Sequence, residues 1–311
     1  MIALLAPGQG AQSPGMLAPW LELPDAEERI GDWSEAAGLD LKRLGTTADA
    51  DEIKDTAVAQ PLVVALSLLV FEQLVRRTEL PGSLVAAGHS VGELTAAAVA
   101  GVLNTDDAVA LAAARGAEMA RACAAEPTGM AAVLGGDESE VLATLAEFGL
   151  DAANRNGAGQ IVASGPVEAL DRLVAQPPQR VKVVRLAVAG AFHTRFMAPA
   201  REALAARAAY VTPDEPRYAL LSNADGEVVD SGAEVLRRLV AQLTSPVRWD
   251  ACMATMRERG VTATVELPPA GTLTNLIKRE LKGTTTLAIK KPEDLDRAVE
   301  LFAAQTVGSR A

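Results

Sequence analysis

Residues 84–100 have the sequence LVAAGHSVGELTAAAVA, and this stretch decides the fold. The apolar run Leu84–Ala87 predicts a buried strand, and Leu94–Ala100 predicts the helix that follows it. Between them, residues 88–92 fit G-x-S-x-G, a pattern in which a sharp turn between strand and helix lifts a serine above the sheet. Both glycines are needed because a Cβ atom would collide with the neighbouring strand or helix. Ser90 is therefore a candidate nucleophile, aimed along the free N–H groups of a helix N-terminus.

A serine hydroxyl needs a base within about 2.6–3.2 Å to become a good nucleophile. The chain contains only 2 histidines, His89 and His193. Consecutive side chains on such a turn point in divergent directions, so His89 is expected to pack against the turn and hydrogen-bond it. Elimination leaves His193 as the candidate general base.

A second glycine-rich turn, Pro7–Gln12, follows the apolar run Ile2–Ala6, which predicts another buried strand. The spacing Gly8-x-Gly10 lacks the third glycine of a dinucleotide-binding loop, and no P-loop lysine follows, so the sequence disfavours a nucleotide site. If this turn lies beside the serine turn, the backbone N–H of Gln9 can stabilise an oxyanion.

Residues 129–188 carry a compact pattern that differs from the rest of the chain. Its predicted order is strand, helix, strand, strand, helix, strand (βαββαβ), which is the ferredoxin-like unit. On either side, predicted strands alternate with helices, as in α/β proteins. The fold class is therefore α/β, with a large subdomain of residues 1–125 and 189–311 and an inserted ferredoxin-like small subdomain of residues 126–188. A cleft between the two is the expected place for a site.

The composition excludes several classes of protein. Lys and Arg number 29 against 40 Asp and Glu, for a net charge of −11, which argues against nucleic acid or an anionic membrane as a partner. The 2 cysteines stand far apart and outside any CxxC pattern, so neither a disulfide framework nor a zinc knuckle is expected. The histidines lack HExxH or HxH spacing, so we predict no metal site and no cofactor.

The sequence also predicts the absence of targeting and membrane segments. The N-terminus lacks the basic region of a signal peptide, and no apolar run reaches the roughly 20 residues of a membrane span. The longest candidate, Val58–Val75, contains polar residues such as Glu72 and is interpreted as part of a buried helix, 58–77. We expect a soluble, cytoplasmic, monomeric protein.

Several motifs spread along the chain occur together in one order. They are Gly8–Gln12, Gly88–Glu93, Arg115–Gly116, Asn154–Gly165, Ala191–His193, Ser245–Trp249 and Glu266–Thr274. In these motifs, essentially end to end, the chain resembles the malonyl-CoA:acyl-carrier-protein transacylases of bacterial type II fatty acid synthesis, which are akin to the acyltransferase domains of polyketide synthases. The resemblance implies an α/β-hydrolase-like large subdomain with a ferredoxin-like small one, matching the predicted elements.

The resemblance also implies catalytic roles. Ser90 would carry the acyl group as an ester, and His193 would act as general base and then as general acid. The backbone N–H groups of Gln9 and Val91 would form the oxyanion hole. A main-chain carbonyl, which we assign to Arg248, would orient the histidine in place of an acidic residue.

Recognition of the acyl group is implied in the same way. Arg115 would form a bidentate pair with the malonyl carboxylate, because a planar guanidinium matches a carboxylate, although sequence alone would place it on a solvated helix face. Asn156 and Gln60 would line the acyl pocket. In related domains a phenylalanine before the histidine accompanies malonyl use, and a serine there accompanies methylmalonyl use. Phe192 therefore predicts malonyl as the acyl group.

The expected reaction is transfer of malonyl from malonyl-CoA to the phosphopantetheine thiol of acyl carrier protein. Three alternatives stay open. One is a discrete acyltransferase that serves a polyketide synthase in trans. The second is a serine esterase or thioesterase that uses the same Ser90 and His193. The third is a non-catalytic scaffold.

The expected partner and this protein carry charge of the same sign, so their binding requires a local patch of opposite charge. Acyl carrier proteins are typically acidic, so a net charge of −11 would repel them unless a basic patch borders the cleft. The candidates lie on the small subdomain and across the cleft from it. They are Arg180, Lys182, Arg185, Lys278, Arg279 and Lys282.

Overall fold

The computed structural model describes the backbone of residues 1–308 and the side chains of residues 1–304. Within this part of the chain, ten strands form two five-stranded sheets. The strands are β1 Ile2–Ala6, β2 Val85–Gly88, β3 Thr128–Gly135, β4 Asp151–Arg155, β5 Gln160–Pro166, β6 Val181–Arg185, β7 Ala219–Leu220, β8 Val247–Arg248, β9 Ala263–Glu266 and β10 Thr285–Ala288.

Helices cover both faces of the first sheet and one face of the second. The α-helices are α1 Ala26–Ala37, α2 Leu41–Thr46, α3 Thr56–Val75, α4 Gly92–Val99, α5 Thr105–Cys123, α6 Glu138–Glu147, α7 Val167–Ala175, α8 Ala198–Ala208, α9 Gly232–Ala241, α10 Trp249–Glu258, α11 Thr272–Glu280 and α12 Asp294–Gly308. Short 3-10 helices lie at Ala18–Trp20, Glu52–Lys54, Arg195–Met197 and Gln242–Thr244.

The first sheet is parallel throughout, with the strand order β10-β9-β1-β2-β7. All residues of β1 and β2 are buried, which is typical of a parallel sheet covered on both faces. Because parallel strands end at the same edge, the turns after β1 and β2 lie side by side. The N–H of His89 donates to the carbonyl of Ala6 at 3.0 Å. The two glycine-rich turns therefore meet at this edge of the sheet.

The second sheet contains the predicted βαββαβ unit, formed by β3, α6, β4, β5, α7 and β6. Its strand order is β6-β3-β5-β4-β8, and only the β4–β8 pair is parallel. Strand β8 comes from beyond residue 189 and was not predicted, because two residues carry no periodic pattern. Through its pairing with β4, β8 links the sheet of the small subdomain to a segment of the large subdomain. The exact division at residues 126–188 stays a prediction.

Helix α3 packs against α5 and α4 in the main hydrophobic core. It is long and apolar enough to cross a membrane, but 78% of its most apolar window is buried inside the protein, as expected of a core helix. Helix α5 approaches it closely at Gly116, where a Cβ atom would lie 2.6 Å from the carbonyl oxygen of Thr56. This approach brings Arg115 against Gln60 of α3.

Some elements differ from the sequence expectation. Helix α1 was not predicted: it buries Ala26, Ile30 and Trp33 at helical spacing, but the charged residues between them conceal the pattern. Helices α2 and α12 were also missed. Strand β6 ends at Arg185 instead of continuing to residue 188. Residues 186–188 line a cavity that Ser90 and His193 also line.

Candidate active site

Ser90 occupies a strained turn between β2 and α4, as the G-x-S-x-G pattern predicts. Its φ angle is +54°, which non-glycine residues rarely adopt. A Cβ atom on Gly88 would lie 2.0 Å from the carbonyl oxygen of Gly92, and one on Gly92 would lie 2.3 Å from that of Ala6. Asn223 supports the turn, because its Oδ1 accepts the N–H of Ser90 at 2.8 Å. The glycines and this amide together hold the serine in its strained conformation.

The imidazole of His193 lies next to the serine hydroxyl. Ser90 Oγ and His193 Nε2 are 2.8 Å apart, and His193 is buried. His89 turns away: its Nε2 lies 2.9 Å from Asn156 Oδ1, and its ring meets Trp249 edge-on. The geometry therefore agrees with His193 as the base and His89 as a residue that supports the turn.

A main-chain carbonyl orients His193, but it belongs to Gln242 and not to Arg248. His193 Nδ1 donates to the Gln242 carbonyl oxygen at 2.9 Å. Arg248 was the wrong residue because its backbone is committed to β8: its N–H donates to the Asn223 carbonyl, and its side chain pairs with Asp250 at 2.9 Å. Gln242 starts a 3-10 helix, which the sequence pattern did not reveal.

The protonation state of His193 suits a base. Burial lowers the pKa of His193 to about 3, and the positive charge of Arg115 acts in the same direction. The imidazole is therefore neutral at physiological pH. With the Nδ1 proton donated to Gln242, Nε2 is free to accept the proton of Ser90.

Arg115 is buried beside Ser90, with 2% of its surface exposed, contrary to the solvated position that sequence alone favoured. Its guanidinium donates to Gln60 Oε1 at 2.7 Å, to Gln242 Oε1 at 2.8 Å and to Ser90 Oγ at 3.3 Å. Burial lowers its pKa to about 10, so it stays charged at neutral pH. In the described part of the chain, its hydrogen-bond partners are all neutral. A buried cation held in this way is prepared to pair with an anionic ligand.

Three further residues of the site were missed by sequence reasoning: Glu93, Asn223 and Gln242. They form a buried cluster below Ser90, in which Glu93 accepts from the backbone N–H of Asn223 and from the side-chain amide of Gln242. Burial raises the pKa of Glu93 to about 8, so at neutral pH its carboxyl does not cancel the charge of Arg115. The one available signal was Glu93 itself, a carboxyl group at the start of an otherwise apolar helix.

Ser90, His193 and Arg115 all line one cavity of about 550 Å³. The other predicted site residues that line it are Gln9, Gln60, Val91, Asn156 and Phe192. Among the hydrogen bonds of residues 1–308, the N–H groups of Gln9 and Val91 have no partner, so both are free to bind an oxyanion.

The charge of this cavity is positive. Its charged lining residues within the described chain are Arg115 and Lys54, and no Asp or Glu lines it. Across the side chains of residues 1–304, no group of three or more His, Cys, Asp or Glu could hold a metal ion. The cavity is therefore suited to an anionic organic ligand.

The six predicted docking residues are all exposed. Lys182 and Arg185 lie on the edge strand β6, whose continuation lines the cavity, and Arg185 pairs with Asp171 at 3.5 Å. Helix α11 lines the cavity with its first turn and carries Lys278 and Arg279 in its last. Basic residues thus lie on two elements that border the cavity.

A model of the acyl transferase domain matches residues 4–306. The chain belongs to the acyl transferase family. Among relatives in this family, it is 60% identical over 302 residues to the malonyl CoA-acyl carrier protein transacylase of Mycobacterium tuberculosis H37Rv, covering 97% of this chain and 100% of the relative. It is 31% identical over 306 residues to the Escherichia coli K12 protein of that name, covering 96% and 99%.

Solved structures of acyl transferase family members have the same fold. The crystal structure of MCAT from Mycobacterium tuberculosis matches with a TM-score of 0.94 and 59% identity, covering 96% of this chain and 99% of the other. A malonyl-transacylase in complex with a type II PKS acyl-carrier protein matches with a TM-score of 0.88 and 29% identity, covering 96% and 99%. The mixed α/β architecture expected from the sequence is confirmed.

Proposed function

We propose that this acyltransferase moves malonyl from malonyl-CoA to the phosphopantetheine thiol of acyl carrier protein, through a malonyl ester on Ser90, and so supplies fatty acid synthesis. The observation that carries the proposal is Arg115, a buried guanidinium with neutral partners, 3.3 Å from the nucleophile. An enzyme for neutral esters has no use for such a cation. The names of the relatives support the same substrates. We place the reaction in the cytoplasm and assign it no cofactor.

The first half-reaction follows from the contacts of Ser90. His193 Nε2 takes the hydroxyl proton as Oγ attacks the thioester carbonyl, and the oxygen that becomes negative is held by the N–H groups of Gln9 and Val91. When the carbon–sulfur bond breaks, the imidazolium returns its proton to the CoA sulfur. The second half-reaction reverses these steps, with the carrier thiol attacking the ester and its proton passing through His193.

The malonyl carboxylate also assists the base. The positive charge of Arg115 lowers the pKa of His193 in the free site. A carboxylate bound to Arg115 compensates that charge, which makes protonation of the imidazole easier during the reaction. Binding of the acyl group and activation of the serine are thereby coupled through one guanidinium.

A carrier-loading assay tests the proposal. The enzyme is incubated with malonyl-CoA, with and without phosphopantetheinylated carrier protein, and both proteins are followed by intact mass. We expect a malonyl adduct on the enzyme alone and transfer of that adduct to the carrier. Steady CoA release without the carrier, and no carrier loading, would instead support the esterase or thioesterase alternative.

The polyketide alternative has one supporting observation, the similarity to a malonyl-transacylase bound to a type II PKS acyl-carrier protein. The same assay separates the two when carriers of both pathways compete for limiting malonyl-enzyme. We expect faster loading of the fatty acid carrier. Preference for the polyketide carrier would assign the chain to that pathway.

We further propose that the basic residues beside the cavity dock the carrier. Reversing the charge in Lys278→Glu/Arg279→Glu is expected to raise the KM for carrier protein about tenfold at low salt, with a smaller effect at high salt, because steering by charge is screened. Lys42→Glu, on α2 and paired with Glu27, is the control. An unchanged KM at low salt would remove α11 from the docking surface.

Phe192 is expected to set acyl selectivity. It is buried and lines the cavity next to His193, so it occupies the space that an α-methyl group needs. Phe192→Ser should raise kcat/KM for methylmalonyl-CoA by about tenfold, the scale of one methyl group in a fitted pocket. Phe148→Ser, at the end of α6, provides the control. Selectivity that stays the same in both variants would contradict the role of Phe192.

The pKa of Glu93 predicts a pH effect on binding. Below pH 8 the carboxyl is protonated and Arg115 keeps its full charge; above pH 8 the carboxylate offsets that charge, while Arg115 itself stays protonated to about pH 10. The KM for malonyl-CoA should therefore rise by about fivefold between pH 7 and pH 9, and that for acetyl-CoA should not. Equal responses of the two donors would contradict this account.

A further inference from the structure

The buried amides Asn223 and Gln242 hold every reacting group of the site. Asn223 Oδ1 accepts the N–H of Ser90 at 2.8 Å, and its Nδ2 donates to the Gly88 carbonyl at 2.8 Å. Gln242 Oε1 accepts from Arg115 at 2.8 Å, its Nε2 donates to the Ser90 carbonyl at 3.1 Å, and its backbone carbonyl orients His193. The nucleophile and the anion-binding cation therefore depend on the orientation of these side-chain amides, and the base depends on the backbone of Gln242.

Gln242 and Asn223 in turn contact one carboxyl group, Gln242 through its side-chain amide and Asn223 through its backbone N–H. Glu93 Oε1 accepts the N–H of Asn223 at 2.7 Å, and Glu93 Oε2 accepts from Gln242 Nε2. Glu93 has 6% of its surface exposed and lies in the first turn of α4, three residues after the nucleophile. It does not line the cavity, so it does not touch substrate.

The acceptors around Nε2 determine which end of the Gln242 side chain faces Arg115: they are Glu93 Oε2, the Ser90 carbonyl oxygen at 3.1 Å and Asn223 Oδ1 at 3.3 Å. An amide presents an acceptor at Oε1 and donors at Nε2. Because the carboxyl oxygen takes Nε2, the acceptor Oε1 is left for the guanidinium. With the amide turned over, its N–H groups would face Arg115, and a donor would lie against a donor.

We propose that Glu93 is the positioning residue of this site: by accepting from Gln242 Nε2, it sets the amide orientation that holds Arg115 for the substrate carboxylate. This deepens the proposed function and rests on it. Glu93 acts through Arg115, and its removal should therefore affect a malonyl donor more than a donor without a carboxylate.

The test is Glu93→Gln, which keeps the shape but replaces one carboxyl oxygen, an acceptor in both protonation states, with an NH2 group that can only donate. We expect the ratio of kcat/KM for malonyl-CoA to that for acetyl-CoA to fall by about tenfold, the scale of losing one hydrogen bond to a charged group, mainly through KM. Glu72→Gln is the matched control, because that partly buried carboxylate on α3 accepts from Arg29 and Thr105 outside the cavity. Its selectivity should match the wild type.

A double-mutant cycle separates positioning from a loss of structure. In an Arg115→Ala background, Glu93→Gln should leave the selectivity ratio unchanged, because the group through which it acts is gone. If Glu93→Gln does not fold, Glu93→Met, which removes the acceptor without adding a donor, is measured in the same cycle. An unchanged ratio in the single variant, or an equal loss for both donors that persists without Arg115, would overturn the proposal. Failure of the proposed function would appear separately, as wild-type enzyme that does not load the carrier.

Discussion

Ser90→Ala is expected to lower carrier loading by at least about 10³-fold and to abolish the malonyl adduct on the enzyme. The reason is that no other hydroxyl group occupies the position 2.8 Å from His193 Nε2. Loss of a nucleophile or of its base removes most of the rate enhancement in serine enzymes. Single-turnover loading followed by intact mass measures both effects.

The same experiment distinguishes a catalytic pair from two independent contributors. His193→Ala should cost about as much as Ser90→Ala, and the double variant should be no worse than either, because the two residues act as a unit. Ser34→Ala, which removes a hydroxyl on α1 that accepts from the N–H of Leu41, is the control for the loss of a serine. A malonyl adduct that persists in Ser90→Ala would place the nucleophile elsewhere.

Arg115→Ala is expected to lower kcat/KM for malonyl-CoA by about 10²–10³-fold. Removing one partner of a buried charge pair costs about 3–5 kcal/mol, and here the substrate carboxylate would be left without a partner in the cavity. Acetyl-CoA carries no such group, so its kcat/KM should change little or rise. The preferred donor should therefore shift towards acetyl-CoA in competition assays.

Arg121→Ala provides the matched control. Arg121 lies on the same helix, but it is exposed and pairs with Glu118. It should retain wild-type selectivity and stability within the range of surface substitutions. If Arg115→Ala and Arg121→Ala had the same malonyl preference, the carboxylate role of Arg115 would be refuted.

Much of the site could be predicted because its residues lie in local patterns. Ser90 was found from two glycines, whose Cβ atoms would fall 2.0 Å and 2.3 Å from backbone oxygens, a constraint that acts within five residues. His193 followed from the scarcity of histidines. Arg248 was the wrong orienting residue because a backbone carbonyl carries no sequence signature, and the one near His193 belongs to Gln242.

The sequence by itself determined the serine turn and the alternation of helix and strand, because these depend on short-range sterics and on the spacing of apolar residues. Only the tertiary structure decided that Arg115, Glu93 and Gln242 are buried together. The sequence gives no sign of this, because Glu93 and Gln242 lie 149 residues apart. The burial of all three residues, and the pKa shifts of Glu93 and Arg115, arise from packing α4, α5 and the turn after α9 together. A charge on a helix looks the same in sequence whether water or another part of the protein covers it, and here the protein covers it.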